Sequence, residues 1–468
     1  DGTPKLEALR ARVAAELLQF WPFRCVLDGG GKIGGQPPRW RELLEVDVSS
    51  LVSARTLPRE ADLDAYIGDS FALAWDWALP LWRVELLSFA NAPRKSALLV
   101  RLNHCLADGV SMLKMFLSVF DGGRANAIDP PRRRRAERKA APLACGPLDG
   151  ALSFLPAALV PLARPPLNLA RRFWVFVDGL FYGALVPLLP ADAPTPLKLP
   201  SCQGSPGLSA RRVATTGAPI PFAKVQQVKD AFGCTVNDVL VSCVAGAVRQ
   251  HLLAQPGAKQ SPALRRIRAL FPANLRREGV DPLADLGNEW SMLSVGLPTH
   301  LPTAEARLRE TQRRTEELKL SPELSVMLAV NQLGAALLPP QLFAKTTLDV
   351  MDKFSVLLSN VAGPSSRTQL LGCEVAAFSF FATSMVSCCF DCISYAGGLH
   401  CTLLADAQVL PNGAQPLLRA FAAELDALVA AAREPRAPQL QFDALPWRRL
   451  GSLLAVVISL TLSLRYLT

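Results

Sequence analysis

Apolar residues recur along this chain at helical spacing in some stretches and as short continuous runs in others. Leu6, Leu9, Val13, Leu17 and Phe20 line one side of a charged stretch and predict a helix over 5–20. A strand over 23–27, a glycine-rich hairpin loop over 28–36, an extended piece over 43–48 and a helix over 60–74 follow. The run Ala97-Leu98-Leu99-Val100-Arg101-Leu102 reads as a short buried strand, paired with one that starts at Pro80. Behind it, Leu113, Phe116, Leu117 and Phe120 fall at i, i+3, i+4 and i+7, the stripe of an amphipathic helix. The second half predicts helices over 222–232 and 236–253, strands over 265–271 and 290–297, and helices over 304–318 and 323–338. Strands over 354–360, 374–381, 385–395 and 398–405 and a helix over 415–432 complete it. Strands and helices alternate irregularly, so the pattern predicts an α/β protein of mixed sheets covered by helices, not a doubly wound parallel fold.

Breaks in the pattern divide the chain. Residues 124–147 are basic and proline-containing, hence a loop, and 148–190 are very apolar but broken by prolines. The uncharged pieces of the latter are too short to span a bilayer, which leaves a membrane-interface segment or a hydrophobic crossover between lobes. Pro190 to Gly207 is rich in Pro, Ser and Gly and reads as a linker. The expected organisation is an N-terminal lobe over 1–190, a linker over 191–210, a C-terminal lobe over 211–435 and a hydrophobic tail over 446–468. In the tail, Trp447-Arg448-Arg449 precedes fifteen uncharged residues, Leu450 to Leu464. That is short of the ~20 residues of a spanning helix. A buried helix is one reading; the dibasic flank favours a membrane anchor that keeps both lobes cytosolic.

Composition adds three constraints. With 468 residues, half of them hydrophobic, there is ample material for a large core, and the positive mean hydropathy suits contact with lipid or long apolar ligands. Half of the +10 net charge comes from Arg132 to Lys139. Such a run is a solvated loop or a patch for anionic membrane or carrier phosphates. Nucleic acid is disfavoured, because no aromatic interleaving accompanies it. The eleven cysteines form no framework, and Cys389-Phe390-Asp391-Cys392 stands alone without zinc-ligand spacing, so they read as buried free thiols and no metal is expected. Gly31-Lys32 lacks the glycine spacing of a phosphate-binding loop. The chain opens on Asp1 rather than methionine, as in an N-terminally trimmed protein, so the lack of a signal peptide carries little weight.

Candidate chemistry gathers at Asn103-His104-Cys105-Leu106-Ala107-Asp108-Gly109, where strand hands over to helix. Asp-Gly before a helix is ordinary turn chemistry, and a lone histidine is more often structural than catalytic. Yet the other three histidines lie in a helix (His251), a strand (His400) and a proline-flanked connector (His300). For a general base at neutral pH, His104 is the candidate.

Seven motifs then occur in one order. They are Pro80-Leu81-Trp82, the HHxxxDG-like turn at 103–109, Val236-Asn237-Asp238-Val239 and Pro272-Ala273-Asn274-Leu275-Arg276. Gly287-Asn288, Ser359-Asn360-Val361-Ala362-Gly363-Pro364 and Ser394-Tyr395-Ala396-Gly397 with Asp406 complete the series. In this the chain resembles the bifunctional wax ester synthase/acyl-CoA:diacylglycerol acyltransferases, especially the plant and algal membrane-associated members. The resemblance implies a two-lobed fold like that of the CoA-dependent acyltransferases, chloramphenicol acetyltransferase-like, with a tunnel between lobes. It implies His104 as the base that takes a proton from a lipid alcohol attacking acyl-CoA, a co-substrate, with no cofactor. Asp108 is expected to fix the loop, Gly109 to leave room for substrate, and Asn237 and Asp238 to support the site from a helix start. Trp82, Asn274, Ser359, Asn360 and Gly363 are the tunnel candidates. A membrane or lipid-droplet surface, with the lobes facing the cytosol from the endoplasmic reticulum, is the implied setting. Asn103 stands where the family has its first histidine and is expected to brace the loop through a hydrogen bond. A catalytically silent lipid-binding or scaffold protein of the same fold is the reading from another class. A soluble plant-type acyltransferase is disfavoured by the missing DFGWG-like element.

Overall fold

A computed structural model describes residues 3–29, 38–123, 160–188 and 190–434, the last with interruptions at 193–194, 199–207, 210, 256–266, 276–280, 282, 284–289, 384–385 and 412. The basic run at 132–139, the Gly287-Asn288 motif and the tail at 446–468 lie outside the described residues, as does most of the linker.

In the first lobe, α1 (Leu6–Leu17) buries Leu9, Val13 and Leu17 completely, as its apolar spacing predicts. A short ladder joins β1 (Cys25–Asp28) to β2 (Arg39–Glu42). The turn α2 (Val48–Leu51) then leads into β3 (Val52–Leu57), and α3 (Leu63–Ser70) follows. A three-stranded sheet forms from β3, β4 (Trp82–Phe89) and β5 (Ser96–Leu102), with β3 parallel and β5 antiparallel to β4. The expected stripe appears in α4 (Gly109–Val119), whose Met115, Phe116 and Leu117 enter a core shared with α1 and Trp82.

The proline-broken apolar stretch contains a 26-residue helix, α5 (Val160–Leu185). It leads toward a seven-stranded mixed sheet. Its members are β6 (Arg212–Thr216), β7 (Ile220–Pro221), β8 (Arg268–Asn274), β9 (Trp290–Gly296), β10 (Val356–Ala362), β13 (Cys388–Tyr395) and β14 (Gly398–Asp406). Their order is β6-β14-β13-β10-β8-β9, with β7 paired to β14. Four helices cover one face: α6 (Phe222–Phe232), α7 (Val236–Leu253), α8 (Ala304–Leu320) and α11 (Gln415–Arg433). Of these, α7 is buried almost all round, which is why its periodicity is weak and its apolar content high. Two further helices, α9 (Glu323–Leu337) and α10 (Pro340–Met351), pack near α5.

The opposite face of the large sheet meets the first lobe. Leu270, Leu357, Cys389 and Leu404 form one apolar cluster with Ile67 of α3, and Leu99 of β5 packs against it. Asp64 of α3 accepts from the backbone N–H and the hydroxyl of Thr216 at 2.8 and 2.7 Å. A Cβ on Gly68 would lie 2.7 Å from the Arg212 carbonyl, so the helix approaches β6 through a glycine. The chain also crosses back: β11 (Gln369–Leu370) and β12 (Cys373–Glu374) form a hairpin against the first lobe. Its Gln369 carbonyl accepts from Asp121 N–H at 2.7 Å, and Gly372 N–H donates to the Asp121 carboxylate at 2.7 Å. Leu370 enters the first lobe's core, with Val375 and Phe378 packed against it.

Three expectations change here. The stretch 43–47 bends irregularly into α2, which begins at Val48, the ladder having already closed at Arg39–Glu42. No strand runs through 374–381: the ladder ends at Glu374, Val375 N–H donates to the Thr368 carbonyl at 3.0 Å, and Val375 and Phe378 pack on the first lobe's core. Trp82 lines no tunnel: it is fully buried, and its indole N–H donates to the Phe23 carbonyl at 3.0 Å.

Candidate active site

At the end of β5 the backbone is tied down on both sides of His104. Asn103 N–H donates to the Leu81 carbonyl at 3.0 Å, and the Asn103 carbonyl accepts from Leu106 N–H at 3.1 Å. The Asn103 side-chain oxygen accepts from Cys105 N–H at 3.1 Å, the short turn that asparagine makes with its own backbone. Beyond the turn, Leu106 and Ala107 are buried. Asp108 caps α4, its carboxylate accepting from Ser111 N–H at 3.0 Å. Between these anchors His104 stays exposed, as does Gly109, where an added Cβ would meet nothing within 4 Å.

The His104 ring faces the Trp290 ring at 5.5 Å, tilted by 59°. Trp290 opens β9 and pairs with Asn274 at the end of β8. An imidazole from one lobe therefore meets the sheet end of the other. Sequence reasoning placed a strand at Trp290 but missed its place opposite His104. The available signal was a large aromatic two residues after Asn288 of the Gly287-Asn288 motif.

Other candidates are brought near one another rather than to His104. Asn360 on β10 donates from its amide to the Asn237 amide oxygen at 2.8 Å, tying the start of α7 to the sheet. Asp238 is buried and accepts from Thr235 N–H and hydroxyl at 2.8 and 2.7 Å and from the Thr315 hydroxyl at 2.5 Å. That full set of partners makes it a structural capping residue. Gly363 lines a cavity of about 330 Å³ with Pro364, Ser365, Ser394, Tyr395 and Gly397 at the ends of β10 and β13. A Cβ there would collide with the Ser394 carbonyl. Ser359 is buried on β10, opposite Asp391 of β13. In the sheet, β8 separates β10 from the strand that carries Trp290. Asn274 is described by its backbone alone, as the last residue of β8.

Desolvation pushes the neighbouring Cys105 thiol up to about 11 although the residue is exposed, so it is protonated at neutral pH. Among the described residues, no group of three or more His, Cys, Asp or Glu could hold a metal ion.

Asp391 is the one buried acid of this face with a large shift. Desolvation pushes it up to about 7, against hydrogen bonds from Ala382 N–H (2.9 Å) and the Cys389 thiol (3.4 Å). The folded chain therefore keeps a proton that the unfolded chain has lost. This group's contribution falls as pH rises from about 4 to about 7, then levels off. We expect Asp391→Asn to flatten that slope by on the order of a few kcal/mol. Urea unfolding at acid and at mildly alkaline pH checks this; an equal loss in wild type and variant contradicts it.

Comparison with solved structures defines the class. The chain superposes on a wax ester synthase/diacylglycerol acyltransferase from Marinobacter aquaeolei VT8 with a TM-score of 0.56, covering 92% of both chains at 19% identity. It superposes on the EpoB cyclization-docking bidomain of a nonribosomal peptide synthetase from Sorangium cellulosum with a TM-score of 0.53 at 14% identity. That match covers 94% of this chain and 80% of the other. The architecture is the two-lobed fold shared by acyltransferases and peptide-synthetase condensation-type domains.

Sequence carries this further. Residues 3–240 match the wax ester synthase/diacylglycerol acyltransferase catalytic domain and residues 286–429 the WS/DGAT C-terminal domain, so the chain belongs to that family. A putative diacylglycerol O-acyltransferase of Mycobacterium tuberculosis is 28% identical over 435 residues, 87% of this chain and 85% of that one. Another from Mycobacterium bovis is 27% identical over 353 residues, 72% of this chain. The match spans 66% of that relative's length. These relatives are bacterial; they do not represent the plant and algal subgroup that the motifs suggested.

Proposed function

We propose that this protein transfers a fatty acyl group from acyl-CoA to the hydroxyl of a lipid alcohol, diacylglycerol or a long-chain fatty alcohol. One observation carries the reading: His104 is exposed on a turn braced from both sides and faces Trp290 across the junction of the lobes. His104 accepts the hydroxyl proton as the alcohol oxygen attacks the thioester carbonyl. The tetrahedral intermediate collapses to ester and expels CoA thiolate, which takes the proton back from the imidazolium. No acyl-enzyme forms, in keeping with a protonated Cys105 beside the base. Acyl-CoA is a co-substrate, and the scheme needs no metal or other cofactor. Asn103, at the place of the family's first histidine, braces the turn through its backbone and its side-chain oxygen, which supports activity without an imidazole at that position.

The test is direct. The full chain, incubated with labelled palmitoyl-CoA and either hexadecanol or diacylglycerol, is expected to yield labelled wax ester or triacylglycerol on thin-layer chromatography. Retention of acyl-CoA binding with no ester from either acceptor would leave a silent lipid-binding protein instead.

A further inference from the structure

We propose that Trp290 is a positioning residue for the reaction, its indole aiming the His104 imidazole at the acceptor hydroxyl. The inference rests on the proposed reaction and names a second residue that the reaction needs. The hydrogen bonds that brace the turn run between backbone groups and the Asn103 and Asp108 side chains, and none of them reaches the imidazole. A histidine ring turns about two side-chain bonds, and an exposed one has several staggered positions open to it. A general base works only while its nitrogen lies within hydrogen-bond reach of the proton it removes. The ring must be held as well as the turn.

Trp290 supplies that hold. Its ring centroid lies 5.5 Å from the imidazole centroid at an interplanar angle of 59°. This is the tilted arrangement, inside the range of about 4.5–7 Å, that aromatic pairs prefer over a parallel sandwich. The contact restrains the plane of the imidazole yet leaves His104 exposed, so the side turned from the indole stays open to substrate.

The indole is anchored better than the ring it meets. Trp290 is half-buried, and its backbone ends the β8–β9 ladder opposite Asn274. Trp290, Met292 and Ser294 share one face of β9. Ser294 shares a hydrogen bond with Tyr182 of α5 at 2.9 Å, and Met292 packs on the apolar cluster between the lobes. Leu99 of β5, on the strand that leads to His104, packs on the same cluster. One apolar cluster thus holds both strands that carry the rings. The imidazole is aimed only when the two lobes are seated on each other.

The indole touches the base, not the reacting atoms, so its loss lowers the chemical rate and leaves acyl-CoA binding alone. Misplacement of a reacting group by about 1 Å costs on the order of a hundredfold in rate. A ring free to turn is aimed part of the time, which sets the expected loss at about tenfold to a hundredfold.

Steady-state ester formation by the full chain, with labelled palmitoyl-CoA and either hexadecanol or decanol, tests the proposal. Trp290→Leu keeps apolar bulk without a ring, and is expected to lower kcat about tenfold to a hundredfold with both alcohols. KM for acyl-CoA is expected to stay within about twofold of wild type. Trp290→Phe restores an aromatic partner and is expected to recover most of the rate. Added to His104→Ala, Trp290→Leu is expected to cost nothing further, because a residue that acts through the imidazole has no role without it. A folding defect would lower the rate in both backgrounds, so this comparison separates it from positioning. A kcat for Trp290→Leu within about twofold of wild type would overturn the proposal. So would losses that multiply in the double variant, or a loss confined to KM for hexadecanol, which makes the indole a wall for the acceptor chain. Wild type that forms no ester defeats the reaction and this role together; ester from wild type with Trp290→Leu undiminished defeats this role alone.

Discussion

His104→Ala is expected to lose about a thousandfold in the rate of ester formation, within the range for a positioned general base, and to keep its thermal midpoint. The two halves of that expectation have separate causes. The imidazole is exposed and makes its ring contact to Trp290 across the lobes, so removing it opens no core cavity. Its cost to folding lies within about 0.5 kcal/mol. The turn itself is held by Asn103, by buried Leu106 and Ala107 and by the Asp108 cap, all of which survive the change. The rate loss belongs to the chemical step, because the imidazole is the proposed base and the thiol beside it, pushed up to about 11, stays protonated at neutral pH. Single-turnover kinetics with preloaded acyl-CoA isolate that step. A variant that turns over within a few-fold of wild type would remove the imidazole from the reaction.

Glu424→Ala is expected to be the most damaging single change to stability, at about 3–5 kcal/mol. Glu424 of α11 and Arg307 of α8 are only 3% and 6% exposed, and they pair through two hydrogen bonds of 2.7 and 2.6 Å. Arg307 also donates to the Leu301 carbonyl at 2.8 Å. Gly246 of α7 lies beneath the carboxylate, where a Cβ would collide with it. Truncating Glu424 leaves a guanidinium buried with one neutral acceptor and a void among three helices. Replacing both partners, Arg307→Met with Glu424→Leu, is expected to recover most of the loss, because the uncompensated charge is then gone. Urea midpoints of the three variants give the comparison; a Glu424→Ala midpoint equal to wild type would refute the assignment.

Much of the scaffold was readable because its elements bury one face. The stripe of α1, the strand–turn–helix around His104, the long helix α7 and the pair β13–β14 all follow from apolar spacing. Where burial comes from elsewhere, the pattern misleads. With only its two end residues buried, β3 carries no apolar run. The stretch after Glu374 is apolar because the other lobe covers it, which imitates a strand. Prolines at 161, 165 and 166 argued against a helix in 148–190. They fall within its first seven residues, and from Leu167 onward nothing interrupts it. No sequence signal marked α10. The site was legible as a turn but not as a junction, since the meeting of His104 with Trp290 joins residues 186 positions apart.

The returning hairpin at Gln369–Glu374 bears on how the chain is made. The first lobe's apolar centre receives Leu370, with Leu371, Val375 and Phe378 packed on it, from a segment translated some 250 residues after α4 ends. A nascent chain emerging from the ribosome therefore carries an unfinished first lobe until residues 370–378 have been synthesised. Co-translational maturation of that lobe must wait for the other, and chaperone capture is expected in the interval.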